Sequence, residues 1–175
     1  PTSICLSGIG GSAMDGDVLY DMLVYTSPIP ITINRNVVLP RWVGRGSMSI
    51  ITSYSGNTQE ALDVYADSVS RGCLVCCITS GGQLAERAEK DRNRLIKVPS
   101  GTQPRAALGY LLGAAAKVLQ KSGAGTPVDD LLKAAASSRS SLVRMAPQTE
   151  MDRNIAKKTA ITLGSGILAF YAPKC

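Results

Sequence analysis

Short apolar runs alternate with amphipathic stretches through the first two thirds of this chain. Residues 3–7 (Ser-Ile-Cys-Leu-Ser), 31–34, 48–53, 73–79 and 95–98 read as strands. Between and after them, residues 13–25, 59–71, 83–91 and 106–120 carry helical spacing. Pro28 and Pro30 stop the first helix, and Gly72 is a natural terminator for the second. Apolar strands interleaved with helices predict parallel pairing and right-handed crossovers. The expected fold is therefore α/β: a three-layer sandwich in which helices flank a five-stranded parallel sheet.

The pattern changes at Ser122-Gly123-Ala124-Gly125-Thr126-Pro127, which reads as a linker. Helical segments follow over 128–145 and 150–158. Residues 159–163 then read as a new strand running into Gly164-Ser165-Gly166, an echo of the chain's opening. This predicts a first domain over 1–121, a helical connection over 122–158, and the start of a second, similar unit over 159–175. The chain is expected to be part of a longer protein.

Composition narrows the class. Of 175 residues, 45% are hydrophobic and 18% charged, as in a globular chain with a substantial core. Aromatics are only 5%, so Leu, Ile, Val and Ala must fill that core. The net charge is +6, which suits acidic ligands such as sugar phosphates. The basic residues are spread over several helices among acids, without a dense block or interleaved aromatics, which argues against nucleic acid as a partner. No apolar run is long enough to span a bilayer, so a membrane partner is not expected either. Five cysteines fit a reducing, cytoplasmic compartment. Cys73 and Cys76 have C-x-x-C spacing, but three steps along a strand place them on opposite faces, where they read as small buried hydrophobes. There is no histidine, which excludes a histidine-based metal site or triad within the chain.

The richest stretch is Ser53-Tyr54-Ser55-Gly56-Asn57-Thr58, at the turn from a strand into a helix. A helix start offers unpaired N–H groups and a partial positive charge, a natural seat for a phosphate even without a lysine. Each hydroxyl or N–H bond to a charged oxygen contributes roughly 1.5–3 kcal/mol. A purely structural reading, Asn57 and Glu60 at capping-box spacing, leaves Ser53 and Ser55 unexplained. Gly8-x-Gly10-x-x-Ala13 also follows a strand and opens a helix, as in the loose dinucleotide fingerprint. The acid that would bind a ribose is replaced by Asn34-Arg35-Asn36. Arg35 keeps a 2′-phosphorylated cofactor open, and a tight turn with close helix–strand packing is the structural alternative. Gln103-Pro104-Arg105 places an arginine at a helix N-terminus, against the dipole, which calls for an anionic partner. Asp15, Asp17 and Glu86 sit in first turns, where acids complement the dipole. Tyr20, Tyr25, Tyr65 and Tyr110 read as packing residues.

Taken in order, Gly8-Ile9-Gly10-Gly11-Ser12, Ser53-Tyr54-Ser55-Gly56-Asn57-Thr58, Ile78-Thr79-Ser80-Gly81-Gly82 and Gln103-Pro104-Arg105-Ala106-Ala107-Leu108-Gly109-Tyr110 resemble the first sugar isomerase (SIS) domain of bifunctional phosphoglucose/phosphomannose isomerases. The Ser-x-Ser-Gly-x-Thr loop marks SIS domains broadly, and Gln-Pro-Arg-Ala narrows the resemblance to this family. It implies two SIS domains per chain in a homodimer. It implies interconversion of glucose 6-phosphate or mannose 6-phosphate with fructose 6-phosphate through a cis-enediol, without metal or organic cofactor. Gly10, Gly11 and Ser12 would line the substrate, Ser53, Ser55 and Thr58 would grip the phosphate, and Arg105 would stabilise the enediolate oxygens. The family's base is a glutamate of the second domain, its ring-opening histidine comes from the neighbouring subunit, and a lysine near the C-terminus contributes. None of these falls within 1–175, so these residues alone are expected to bind phosphates weakly and turn over nothing. The alternatives are a non-catalytic SIS module that senses a sugar phosphate and, less favoured, an NADP-binding oxidoreductase domain.

Overall fold

The structure, a computed structural model, describes residues 1–8, 10–103 and 105–164. It divides into two compact units, Pro1–Val128 and Asp129–Cys175.

The first unit is built on five strands: β1 (Ser3–Ser7), β2 (Ile31–Asn34), β3 (Ser47–Thr52), β4 (Leu74–Thr79) and β5 (Arg94–Lys97). They pair in the order β2-β1-β3-β4-β5, every pair parallel. The helices are α1 (Met14–Leu23), α2 (Gln59–Ser70), α3 (Gly82–Lys90) and α4 (Leu108–Lys121). α1 packs on α4 along one face of the sheet, and α2 on α3 along the other. This follows from handedness. The β1–α1–β2 crossover runs toward one edge and β3–α2–β4 toward the other, so right-handed connections put α1 and α2 on opposite faces.

Both faces are covered, so the central strands are buried along their length and read as apolar runs without alternation. Adjacent residues then serve different layers. Ile51 and Cys77 join the cluster under α2 and α3, with Leu62, Tyr65 and Leu84. Ile50, Cys76 and Ile78 are equally buried yet lie outside that cluster. Burial pushes the thiols up, to about 11 for Cys5 and Cys76 and about 12 for Cys77, so they are packing groups and not nucleophiles. Cys73 packs against the cluster that contains Cys77, which agrees with the opposed faces expected for Cys73 and Cys76.

Of the tyrosines read as packing residues, Tyr65 is buried, but Tyr25 is 94% and Tyr110 51% exposed. Tyr25 falls beyond the last turn of α1, in the segment that leads to Pro28 and Pro30. Tyr110 stands on α4 one step from the buried Leu111, on the outer side of that helix.

The second unit holds α5 (Pro127–Arg144), a 3₁₀ turn (Met151–Arg153) and α6 (Ile155–Leu163). The strand expected over 159–163 is instead the C-terminal half of α6. Ala-Ile-Thr-Leu is a short apolar run, which periodicity alone cannot assign. The capping chemistry upstream decides it. Asn154 is buried, its Oδ1 accepts from the Lys157 amide at 3.1 Å, and its Nδ2 donates to the Ala146 carbonyl at 2.9 Å. With the helix started there, Ala156, Lys157, Lys158 and Ala160 carry it on, and the β-branched residues follow. Ser165 and Gly166 lie outside the described residues. Among the described residues no helix is long and apolar enough to cross a membrane.

Candidate functional site

The strand order fixes where a ligand belongs. β1 sends its crossover to β2, and β3 sends its crossover the other way, so a crevice opens between the carboxyl ends of β1 and β3. The loops leaving those strands are Gly8–Ala13 and Ser53–Thr58 in sequence. A cavity of ≈ 530 Å³, counted out to open solvent, lies there, lined by Gly11, Ser12, Thr52, Ser53, Tyr54, Ser55 and Thr58. Among the described residues, no charged side chain lines it.

The hydrogen bonds of the loop show which protons remain for a guest. The Ser53 hydroxyl is buried, accepts from the Gly56 amide at 3.2 Å and pairs with the Thr58 hydroxyl at 3.0 Å. With Ser53 as donor in that pair, Thr58 keeps its own proton. Ser55 Oγ accepts from the Asn57 amide at 3.3 Å, and Ser12 Oγ accepts from the Tyr54 amide at 3.3 Å. Both oxygens therefore also keep their protons. Ser12, Ser55 and Thr58 thus present hydroxyl donors to one cavity. Thr58 is the N-cap of α2, and no side chain satisfies the first-turn amides there. Among the described residues, the amides of Thr58, Gln59 and Glu60 have no hydrogen-bond partner. Neutral donors and a helix start converge, which is the chemistry of an anion seat.

This seat is held by the adjacent loop after β4. Ser80 donates to the Tyr54 carbonyl through both its amide, at 2.9 Å, and its hydroxyl, at 2.7 Å. Leu84 N donates to the Gly56 carbonyl at 2.9 Å, and Gln83 N to Asn57 Oδ1 at 3.0 Å. The two loops touch backbone to backbone. A Cβ on Gly56 (φ +68°) would stand 1.9 Å from the Gly81 oxygen, and one on Gly82 (φ +72°) would stand 2.4 Å from the Ser55 oxygen. Ser80-Gly81-Gly82 is thus a buttress for the seat and does not line it.

Of the residues singled out in the sequence, Gly11, Ser12, Ser53, Ser55 and Thr58 share the cavity. Gly10 opens the 3₁₀ turn Gly10–Ala13 and does not line it. Arg105 is exposed, in the turn before α4, and also stands outside the lining. The turn is closed by the amides of Ala106 and Ala107 on the Gln103 carbonyl at 2.9 and 3.1 Å. Pro104 lies outside the described residues.

Two residues escaped the sequence reading. Asp15 is not a surface acid at a helix start but is 2% exposed. Its carboxylate accepts from the Thr52 hydroxyl at 3.0 Å, directly behind the seat. Burial pushes its carboxyl up to about 6, against the lowering effect of the Thr52 bond. The signal was present: Asp15, Leu19 and Leu23 recur at helical spacing on the buried face of α1. Tyr54 is 8% exposed, and its hydroxyl reaches the loop after β5, donating to the Pro99 carbonyl at 3.2 Å and meeting Thr102 Oγ1 at 2.8 Å.

The first loop is occupied structurally. A Cβ on Gly8 would come 2.4 Å from the Ser12 carbonyl oxygen, the close helix–strand approach that explains this glycine. Asn34 folds onto Asn36 in an Asx turn, and Arg35 pairs with Asp17 on α1. Nothing in this arrangement favours a dinucleotide.

No family model matches the chain. It is 38% identical over 169 residues to a bifunctional phosphoglucose/phosphomannose isomerase of Caldicellulosiruptor bescii, covering 96% of this chain and 50% of that protein. It is 29% identical over 167 residues to a D-glucosamine-6-phosphate 4-epimerase of Sulfolobus acidocaldarius, covering 94% of this chain and 52% of that protein. The chain therefore spans about half the length of these curated relatives. In three dimensions it is similar to tagatose-6-phosphate ketose/aldose isomerase of Escherichia coli, with TM-score 0.59 and 18% identity over 80% of this chain and 42% of that one. At that identity the likeness carries the fold, which is of the SIS type.

Proposed function

We propose, from the premise that the chain belongs to the bifunctional phosphoglucose/phosphomannose isomerase family and spans half the length of its relative, that it contributes the phosphate-binding SIS domain of an aldose–ketose isomerase. The substrates would be glucose 6-phosphate and mannose 6-phosphate, interconverted with fructose 6-phosphate through a cis-enediol. One observation carries this reading: the hydroxyls of Ser12, Ser55 and Thr58 meet in one uncharged cavity at the sheet's switch point, against the start of α2.

In this reading the phosphate accepts from those hydroxyls and the first amides of α2, and the sugar extends outward. Thr52 holds the seat from behind, its proton donated to Asp15, and the Ser53 and Thr58 hydroxyls share one hydrogen bond that leaves one of their two protons for the phosphate. Gly11 and Ser12 form the wall beside the sugar, and Gly10 opens the turn that carries them. Arg105, in the turn before α4, would supply a fixed charge for the oxygens that become negative as the C2 proton leaves. The base, the ring-opening group and the second subunit of a homodimer would come from outside residues 1–175.

Ser55→Ala tests the phosphate reading. It is expected to weaken binding of fructose 6-phosphate by about 1–3 kcal/mol while leaving the unfolding midpoint nearly unchanged, because Ser55 is exposed. Calorimetric titration with fructose 6-phosphate and with unphosphorylated fructose reads this directly. Equal affinity for the two sugars would remove the proposal. In the full-length protein, Arg105→Ala is expected to lower kcat with little change in KM, and unaltered turnover would take Arg105 out of the mechanism.

The match to a 4-epimerase along nearly the whole chain favours a second reading, in which the same seat serves a different reaction on the sugar. Incubating the full-length protein with glucosamine 6-phosphate and with glucose 6-phosphate, and following both by NMR, separates a C4 epimer from a ketose.

A further inference from the structure

Tyr54 ties together the loops after β1, β3, β4 and β5 at this end of the sheet. Its amide donates to Ser12 in the loop after β1 at 3.3 Å. Its carbonyl accepts from Ser80 in the loop after β4, at 2.9 Å from the amide and 2.7 Å from the hydroxyl. Its hydroxyl reaches the loop after β5, where it meets Pro99 and Thr102. The residue itself belongs to the loop after β3. The phenol thus spans from the phosphate seat to the segment that ends in Arg105.

A tyrosine hydroxyl has one proton and two lone pairs. The proton goes to the Pro99 carbonyl, at 3.2 Å. The lone pairs accept from the Thr102 amide at 3.1 Å and from the Thr102 hydroxyl at 2.8 Å. The hydroxyl is fully used, and all of it is spent on backbone and side chain between Pro99 and Thr102. That segment has few other supports. Residues 99–103 are all exposed, and its further described tie is the pair of amide bonds onto the Gln103 carbonyl. Without the phenol hydroxyl it would be held at its ends alone.

We propose that Tyr54 is a positioning residue that sets the distance between the phosphate seat and Arg105, and so couples recognition of the phosphate to stabilisation of charge at the other end of the sugar. This rests on the isomerase reading above. Tyr54 does not touch the reacting atoms; it acts through Arg105. A phosphate held at one end of a six-carbon sugar puts C1 and C2 at a fixed reach, and a cationic group assists there only if its loop is set to that reach. The phenol is the rigid link that does so.

Tyr54→Phe removes the hydroxyl and keeps the ring. The groups it releases, in an exposed loop, find water, so the fold should lose little stability. The probes are inorganic phosphate, which needs the seat alone, and a phosphorylated five-carbon aldonic acid, whose carboxylate mimics the enediolate while its phosphate fills the seat. Both are titrated into the full-length protein as wild type, Tyr54→Phe, Arg105→Ala and the double variant. The expected result is a loss of about tenfold in aldonate affinity for Tyr54→Phe, less than twofold for inorganic phosphate, and a double variant no worse than Arg105→Ala. Equal losses for both probes would make Tyr54 part of the seat's scaffold and overturn the proposal. So would full additivity in the double variant, or no loss at all. If the wild type binds the aldonate no better than inorganic phosphate, the isomerase reading fails and this inference falls with it. That outcome is told apart by the wild-type titrations alone.

Discussion

Gly56→Ala is expected to abolish measurable phosphate binding and to destabilise the first unit by about 2–5 kcal/mol. Two costs add. The residue has φ +68°, a left-handed conformation that costs an L-residue roughly 1–2 kcal/mol. The new methyl would also stand 1.9 Å from the Gly81 oxygen and 2.7 Å from Thr79 Oγ1. Neither is the end of a flexible chain, so a backbone must move, at a further cost of roughly 1–3 kcal/mol. Whichever loop yields, the Gly56 amide and the Ser53 hydroxyl lose their alignment, and Ser55 and Thr58 move with them. Gly72→Ala provides the control. Gly72 has φ +69° but nothing within 4 Å of its added Cβ, so it should show the conformational cost alone and bind phosphate as the wild type does. Denaturant midpoints and phosphate titrations of the two variants check this. Equal destabilisation by both would mean that the contact between the loops carries no energy.

Asp15→Asn is expected to stabilise the protein at neutral pH by about 3 kcal/mol and to do almost nothing near pH 4. The carboxyl is raised from 3.8 to about 6 in the folded state, mainly by burial. Below the lower value both folded and unfolded chains hold the proton, and the site is neutral in each. Between the two values the folded chain keeps the proton that the unfolded chain has released, so stability falls as pH rises. Above about 6 the folded state carries a buried charge that water would solvate better, and the full penalty is present. Asparagine keeps an oxygen to accept the Thr52 hydroxyl and removes the titration. Urea unfolding at pH 4, 5, 6 and 7.5 should show the two proteins diverging through that window. Parallel curves would show that Asp15 is solvated. Because the carboxylate sits behind Thr52, Asp15→Asn should also tighten phosphate binding above pH 6, where a like charge near the seat is removed.

The sheet was legible because each strand is covered on both faces and is followed by a helix of clear period. Residues such as Ile50 and Ile51, buried in opposite layers, leave an uninterrupted apolar run. That Ser53, Ser55 and Thr58 share one cavity was legible because they lie within six residues of chain at a strand-to-helix turn, and local spacing is what a sequence displays. What failed was long-range or context-dependent. The C-terminal half of α6 looked like a strand because its side chains are β-branched, while the cap that made it helical, Asn154, lies outside the run. Asp15 looked like a dipole-complementing acid because the helix start is visible and the sheet beneath it is not. The reach of Tyr54 to Thr102 crosses 48 positions, and no pattern in the sequence points to it. Arg105 kept its expected place at a loop-to-helix junction, yet the cavity lining stops short of it.

Among the described residues, no lysine or arginine lines the seat. A guest is gripped by oriented dipoles and alcohol protons that lose their strength within a bond length or two, so a misplaced anion gains almost nothing by being nearby. Such a grip discriminates by fit, and it lets go readily once the fit is lost. On the proposed reading, a clamp built without countercharge would release a phosphorylated sugar as soon as its headgroup shifts out of register.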